Sequence, residues 1–300
     1  MDTSKISFAT KTLSLFGGKV NVSLFGRWQG SAETNWSLRT LDSMASEEAA
    51  MRLKGTLRAF TGYNEKILAP RPTEMNGLIA GTGIYRKGAR ISLEDKHGRK
   101  TLYRGENADG AILHAGQSFA MSPADCWTIA MLYTDSKGGE EKLIVAHAAR
   151  DSLMDPNRFK RGEKERKHFS VVDSIRQVVG ENSASTAKVW VGFGISLGKH
   201  FAHPSSNELF PVNQVRNDFL KAEYPDDCFY GDPDEGMYDL SEIARHQLLC
   251  QGFRQANIWL DRSIDTWRDT EQCDRPEWWS HRRDRTRGRN LLIVNFWERA

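Results

Sequence analysis

Residues 122–150 read SPADCWTIAMLYTDSKGGEEKLIVAHAAR. Two β-rich runs lie inside them, Trp127 to Tyr133 and Lys142 to Ala146, dominated by apolar, branched and aromatic side chains. Ser122-Pro-Ala-Asp125-Cys126 leads straight into the first run. The second runs out into His147-Ala-Ala-Arg150. Strand ends hold side chains rigidly while letting them converge on a mouth, so Asp125, Cys126, His147 and Arg150 are the first candidates for chemistry.

Working outward, Arg90 to Glu94, Lys100 to Arg104, Lys188 to Ile195 and Asn290 to Trp297 are further β-rich runs. Helical stretches separate them. Ser46 to Phe60 is built from strong helix formers, and Phe169 to Val179 sets Val171, Ile175, Val178 and Val179 on one stripe. Asp239 can cap a helix whose third residue is Glu242. Strands come in runs with helices inserted irregularly, which predicts an α+β fold. Nothing marks a domain boundary, so residues 1–300 are expected to form a single domain. Arg158 to His168 mixes both charge signs and reads as an exposed connection, not a nucleic-acid surface.

The chain has 300 residues, 42 Lys+Arg against 39 Asp+Glu, and a formal charge of +3. With 39% hydrophobic and 27% charged residues it is globular in composition. No apolar run approaches the roughly 18–20 residues of a membrane helix. The start, MDTSKISFATKTLSLFGG, lacks the pattern of a secretory signal. Cys126, Cys228, Cys250 and Cys273 form no CxxC pair, so reduced thiols in a cytoplasmic compartment are expected.

There is no GxxxxGK[ST], HExxH or GxSxG. Gly192-Phe-Gly-Ile-Ser-Leu-Gly198 has the wrong spacing for a dinucleotide fingerprint and reads as a closely packed turn. His200 and His203, spaced HxxH, read as ordinary loop histidines. Better placed are His97, between two β-rich runs, with Cys126 and His147. Two imidazoles and a thiolate suit Zn²⁺, and three protein ligands leave the fourth position open.

Six segments then fall in an informative order: ENADGAIL, SFAMSPADCWTIAML, KLIVAHAARDSL, KVWVGFGIS, YDLSEIARHQLLCQGF and WWSHRRDRTRGR. They resemble the A-D-A, T-A-D-C, H-A-G-W-R-G, G-P-x-I, D-L-x-x-A-N-x-x-Q-L and F-x-S-x-R-R-D-x-x-T-G-R segments of the laccase-domain, or polyphenol-oxidase-like, proteins. The similarity is clearest over residues 81–297 and fainter in TNWSLRTLDSMASEEAAMRLKGTLRAF, residues 34–60.

That resemblance implies an α+β layered β-sandwich flanked by helices, with a metal site in a surface cavity. It also implies one metal, zinc with copper as a substitute, on the histidine of Q-V-H-G, the cysteine of A-D-C and the histidine of H-A-G. The last two correspond to Cys126 and His147. For the first, His97-Gly98 supplies the literal H-G, while Ile79-Ala80-Gly81-Thr82 fits the pattern with the histidine replaced. His114-Ala115-Gly116 precedes the cysteine segment and is a decoy. Departures cluster after His147, where Trp and both glycines of H-A-G-W-R-G are lost.

The function this implies is a zinc-dependent enzyme acting on purine nucleosides, by phosphorolysis of adenosine or inosine and also adenosine deamination. Asp125 would move protons, Arg282 and Arg283 would hold phosphate, and Arg150 would assist in substrate binding. Nucleoside and phosphate are the implied partners, with no nucleic acid and no membrane. The alternatives are a copper phenol oxidase, a metal-free hydrolase with Cys126 as nucleophile and His147 as base, and a diverged non-catalytic binding protein. Eight histidines without an HxH pair exclude a multicopper cluster.

Overall fold

The computed structural model describes residues 9–41, 46–71, 78–80, 89–95, 98–154, 170–195, 202–267 and 276–297. One sheet has seven strands: β1 (Lys11–Leu15), β2 (Val20–Phe25), β5 (Lys66–Arg71), β7 (Ala89–Asp95), β8 (Gly98–Asn107), β10 (Gln117–Met121) and β15 (Leu291–Phe296). Their order is β1-β2-β15-β10-β5-β8-β7. The other has six: β6 (Leu78–Ala80), β9 (Gly110–Leu113), β11 (Trp127–Thr134), β12 (Glu141–Ala148), β13 (Lys188–Gly194) and β14 (Ile258–Asp265), ordered β14-β13-β11-β12-β9-β6. A two-stranded ribbon joins β3 (Trp28–Gln29) to β4 (Ala32–Glu33).

Alternation along β11 and β12 sets the layering. Trp127, Ile129, Met131, Ile144, Ala146 and Ala148 face helices Val171–Val179, Val212–Glu223 and Leu240–Cys250. Ala130, Leu132, Leu143 and Val145 face the other way, against Val22, Leu68, Phe119, Leu292 and Val294 of the seven-stranded sheet. That sheet's outer face carries Ile67, Ala69, Leu102, Leu291 and Ile293, covered by Leu53 and Leu57 of helix Glu47–Phe60. The result is a single-domain, four-layer α/β/β/α sandwich. Strands buried on both faces read as unbroken apolar runs, which is why the two strands of residues 122–150 stood out.

The three anticipated helices form. Ser46 Oγ caps the first by accepting from Ala49 N–H (3.3 Å), and Ser170 with Asp173 makes a reciprocal capping box on the second. Asp239 accepts from the N–H groups of Ser241 and Glu242 at the third (2.9 and 3.2 Å). Of the Gly192–Gly198 segment, residues 192–195 are described; Gly192 and Gly194 are closely packed and lie at the end of strand β13. A Cβ at Gly194 would stand 2.7 Å from the Trp127 ring. Trp127, fully buried, donates Nε1–H to Ile195 O (3.0 Å), anchoring the residue after Cys126.

The sheet registers define one end of the sandwich. There β10 leaves at Met121 toward Cys126, β12 arrives at His147, and β15 departs after Arg289. Asn290 N–H donates to Pro123 O (3.0 Å), fastening the start of β15 to the segment before Cys126. No helix among the described residues is long and apolar enough to cross a membrane. The connection 158–168 lies outside the described residues.

Candidate metal and anion site

His147 is the last inward-facing position of β12. Its N–H donates to Asp109 O across the β9 side (2.6 Å), so against β11 it forms a non-hydrogen-bonded pair with Thr128, the geometry that brings cross-strand side chains closest. His147 Nδ1 and Thr128 Oγ1 are both buried without a hydrogen-bond partner. Two orphaned polar atoms facing one interior space are uncommon in a packed protein and mark a place where a ligand belongs.

Cys126 precedes Trp127, whose Cα partner is Ala148, so the thiol and the imidazole sit at the same end of the same strand pair. Burial pushes the Cys126 thiol up to about 12, with Asp125 adding to the rise and Arg289 opposing it. Burial pushes His147 down to about 4, with Arg289 helping. Both residues keep partial surface exposure as a whole, while their reactive atoms lie deep. Burial raises the thiol and lowers the imidazole, so desolvation disfavours the thiolate–imidazolium pair that this chemistry needs. This pair is poorly suited to act as free nucleophile and base.

Asp125 is buried, and both carboxylate oxygens accept: Oδ1 from Thr266 Oγ1–H (2.8 Å) and Oδ2 from Arg282 N–H (2.9 Å). Its carbonyl accepts from Ile195 N–H (3.0 Å). The residue thus ties the short helix His281–Asp284, the end of β14 and the end of β13 to the cysteine segment. This geometry favours positioning over proton transfer.

Arg282 and Arg283 diverge. Arg282 sends Nη2 to His203 Nε2 (2.7 Å), beside the cysteine segment. Arg283 turns the other way. It binds Asp284 through Nε (2.8 Å) and Nη2 (3.0 Å), and reaches the carbonyls of Thr266 (2.9 Å) and Trp278. These contacts commit the Arg283 guanidinium to pinning the loop before β15.

Arg150 opens the short helix Arg150–Leu153. It grips Asp151 with Nε (2.8 Å) and Nη2 (3.1 Å) and brings Nη1 to His203 Nδ1 (2.8 Å). Buried Arg216 meets the same carboxylate (3.4 Å). Burial, then Arg150, Arg282 and Arg216, push His203 down to about 2, so its ring is neutral. Arg289, also held below the ordinary arginine range by burial, flanks Cys126 and His147. Like charges roughly 5 Å apart repel by about 3 kcal/mol at an effective dielectric of 20. Bringing Arg150 and Arg282 onto one imidazole is therefore costly, and the Asp151 carboxylate shared by Arg150 and Arg216 offsets part of that cost.

His97 lies outside the described residues. The residues flanking it, Asp95 and Gly98, pair where β7 turns into β8, and β8 runs parallel to β5, as β5 does to β10. Asp95 and Gly98 therefore lie at the end of the seven-stranded sheet remote from Met121. Among the described residues no group of three His, Cys, Asp or Glu is placed to hold a metal. Ala80, the alternative register, ends β6 at the edge of the six-stranded sheet. His114 sits at the opposite end from His147, with Nδ1 against Glu140 (2.8 Å). A shallow depression of about 460 Å³ at that far end, lined by Lys19, Glu140, Glu141 and Trp297, contains none of the candidates.

His203 and Arg289 were the residues that sequence reasoning missed. HxxH spacing marked His203 as a loop histidine, and only the fold shows its ring between two arginines. Arg289 closes the run Arg282, Arg283, Arg285, Arg287, Arg289, so its signal was present but not separable from its neighbours.

No family model matches the sequence, and no curated protein matches it. Solved structures do match the fold. YlmD from Geobacillus stearothermophilus superposes with a TM-score of 0.63 at 18% identity, covering 93% of both chains. The hypothetical protein YfiH from Bacillus licheniformis gives 0.59 at 16% identity, covering 96% of this chain and 97% of its own. A DUF152 protein from Neisseria meningitidis gives 0.58 at 16% identity, covering 94% and 96%. The chain shares their fold over nearly its whole length.

Proposed function

We propose that the protein is a zinc-dependent enzyme acting on purine nucleosides, by phosphorolysis of adenosine or inosine and also by deamination of adenosine, in which water attacks the purine ring carbon bearing the amino group and ammonia leaves. The observation that carries this reading is the orphaned, buried His147 Nδ1 at the same end of the β11–β12 pair as the Cys126 thiol, both within the electrostatic reach of Arg289. A thiol and an imidazole are a fitting donor set for zinc, and their positions at the ends of β11 and β12 keep them rigid. A residue outside the described set would supply the third ligand. When bound, zinc supplies a Lewis acid that lowers the pKa of a coordinated oxygen. The order of six laccase-domain-like segments and the fold shared with YlmD, YfiH and the DUF152 protein support the same reading.

The chain's own residues have distinct tasks. Arg150 and Arg282 hold phosphate, Arg289 offsets developing negative charge near Cys126, and Asp125 orients Arg282 through its backbone N–H. In phosphorolysis a phosphate oxygen bonds to the anomeric carbon as the bond to the base breaks, and the base leaves carrying the electron pair and takes up a proton. The enzyme is assigned to a reducing, cytoplasmic setting, in which the Cys126 thiol stays available.

A second reading is a diverged binding protein that keeps the arginines without a complete metal site. It is favoured by the absence of a three-ligand group among the described residues. Incubating zinc-supplemented protein with adenosine and inosine, with and without phosphate, separates them. Free base with ribose 1-phosphate, or ammonia, supports the enzyme. No turnover by metal-loaded protein rejects the nucleoside assignment. Metal analysis of protein grown without added copper tests the copper oxidase alternative.

A further inference from the structure

His203 is held from every side. Its N–H donates to Gly236 O (3.1 Å), its carbonyl accepts from Asn217 Nδ2 (3.1 Å), and its ring stacks on Tyr238 with centroids 5.9 Å apart and planes 11° from parallel. Gly236, at φ 63°, permits this approach, since a Cβ there would stand 2.1 Å from the His203 carbonyl oxygen. The ring nitrogens then meet Arg150 Nη1 (2.8 and 3.1 Å) and Arg282 Nη2 (2.7 Å). Arg150 comes from the turn after β12 and Arg282 from the helix before β15, so two distant segments converge on one imidazole. A neutral imidazole has a single lone pair to offer two donors. Its effect is to set the guanidiniums side by side at one point.

We propose that His203 is a positioning residue for a bound oxyanion: it aligns Arg150 and Arg282 so that an anion with two or more acceptor oxygens, of the phosphate class, binds across both. Paired planar guanidiniums match such an anion better than any single cation does. The charged groups acting on the ring are the cations Arg150, Arg282 and Arg216, with the Asp151 carboxylate held between Arg150 and Arg216 and Asp125 bound to the Arg282 backbone. The proposal rests on the anion-binding part of the reading above. It does not depend on the nucleoside.

The test is calorimetric titration of inorganic phosphate into the full-length zinc-supplemented protein and two variants. His203→Leu removes the acceptor and is expected to weaken phosphate by at least about tenfold, whereas His203→Gln, which keeps one, should stay within about threefold of the parent. Zinc content and thermal midpoint, measured on the same samples, show that both variants are folded. Equal phosphate affinity in His203→Leu and the parent overturns the proposal, as does equal weakening in both variants. Absence of phosphate binding by the parent also overturns it. Phosphate binding that depends on His203 without nucleoside turnover upholds it while rejecting the nucleoside assignment.

Discussion

The two halves of the site are built differently. Cys126 and His147 sit on the ends of adjacent antiparallel strands, so their relative placement follows from the register of β11 and β12. Arg150, His203, Arg282 and Arg289 come from loops and short helices, held by hydrogen bonds to Asp151, Gly236, Asp125 and Gly288. A strand-borne half inherits its rigidity from the core. The loop-borne half is only as precise as its hydrogen bonds. Substitutions should therefore act on chemistry in the first half, and on affinity or local stability in the second.

The largest expected effect separates them most sharply. Cys126→Ala or His147→Ala should lower nucleoside turnover by about 10³-fold or more with little change in phosphate affinity, because the metal's contribution is lost while the arginines stay. Steady-state kinetics and phosphate titration on the same variants check this. A parallel loss in both would merge the two halves.

The next contrast lies inside the loop half, between neighbours. Arg282→Ala is expected to raise the KM for phosphate by roughly 10–100-fold, on the scale of a lost charge-assisted hydrogen bond to an anion. Arg283→Ala should leave that KM unchanged and cost about 2–3 kcal/mol of stability, since its guanidinium serves Asp284 and two carbonyls. Thermal unfolding with kinetics distinguishes them, and an exchange of the two outcomes would reverse the assignment.

Acid should loosen the loop half over the same interval in which it loads the buried, neutral His147 of the strand half. His203 has a folded-state pKa below its unfolded value, so the unfolded chain binds the proton more tightly, and stability present above pH 6.5 is lost as pH falls. Between pH 6.5 and 4 that loss is about 3 kcal/mol from this residue. His203→Gln should flatten the decline in denaturation midpoint over that interval. The smallest effect belongs to His114→Ala at the far end of the sandwich, where a surface pair with Glu140 is worth about 0–1 kcal/mol and turnover should not change.

How far the sequence reached follows the same division. Apolar runs flanked by Asp125, Cys126, His147 and Arg150 were legible because strands buried on both faces leave a continuous hydrophobic trace. The helix cap at Asp239 was legible because its side chain bonds within a few residues, whereas the cap at Ser46 was not singled out. β10 and β14 were missed: Gln117–Met121 is short, and Ile258–Asp265 interleaves Asp261, Arg262 and Asp265 with its apolar residues. His203 was misjudged because its partners lie 53 and 79 residues away in the chain. Arg282 and Arg283 look equivalent as neighbours, and only the fold sends one inward and the other to Asp284.

The most direct measurement of the central claim is anomalous diffraction at the zinc edge from crystals of the zinc-supplemented protein. The expected result is a single strong peak within about 2.0–2.4 Å of both Cys126 Sγ and a His147 ring nitrogen. A zinc peak elsewhere, or none at this pair in protein that binds phosphate normally, would contradict it.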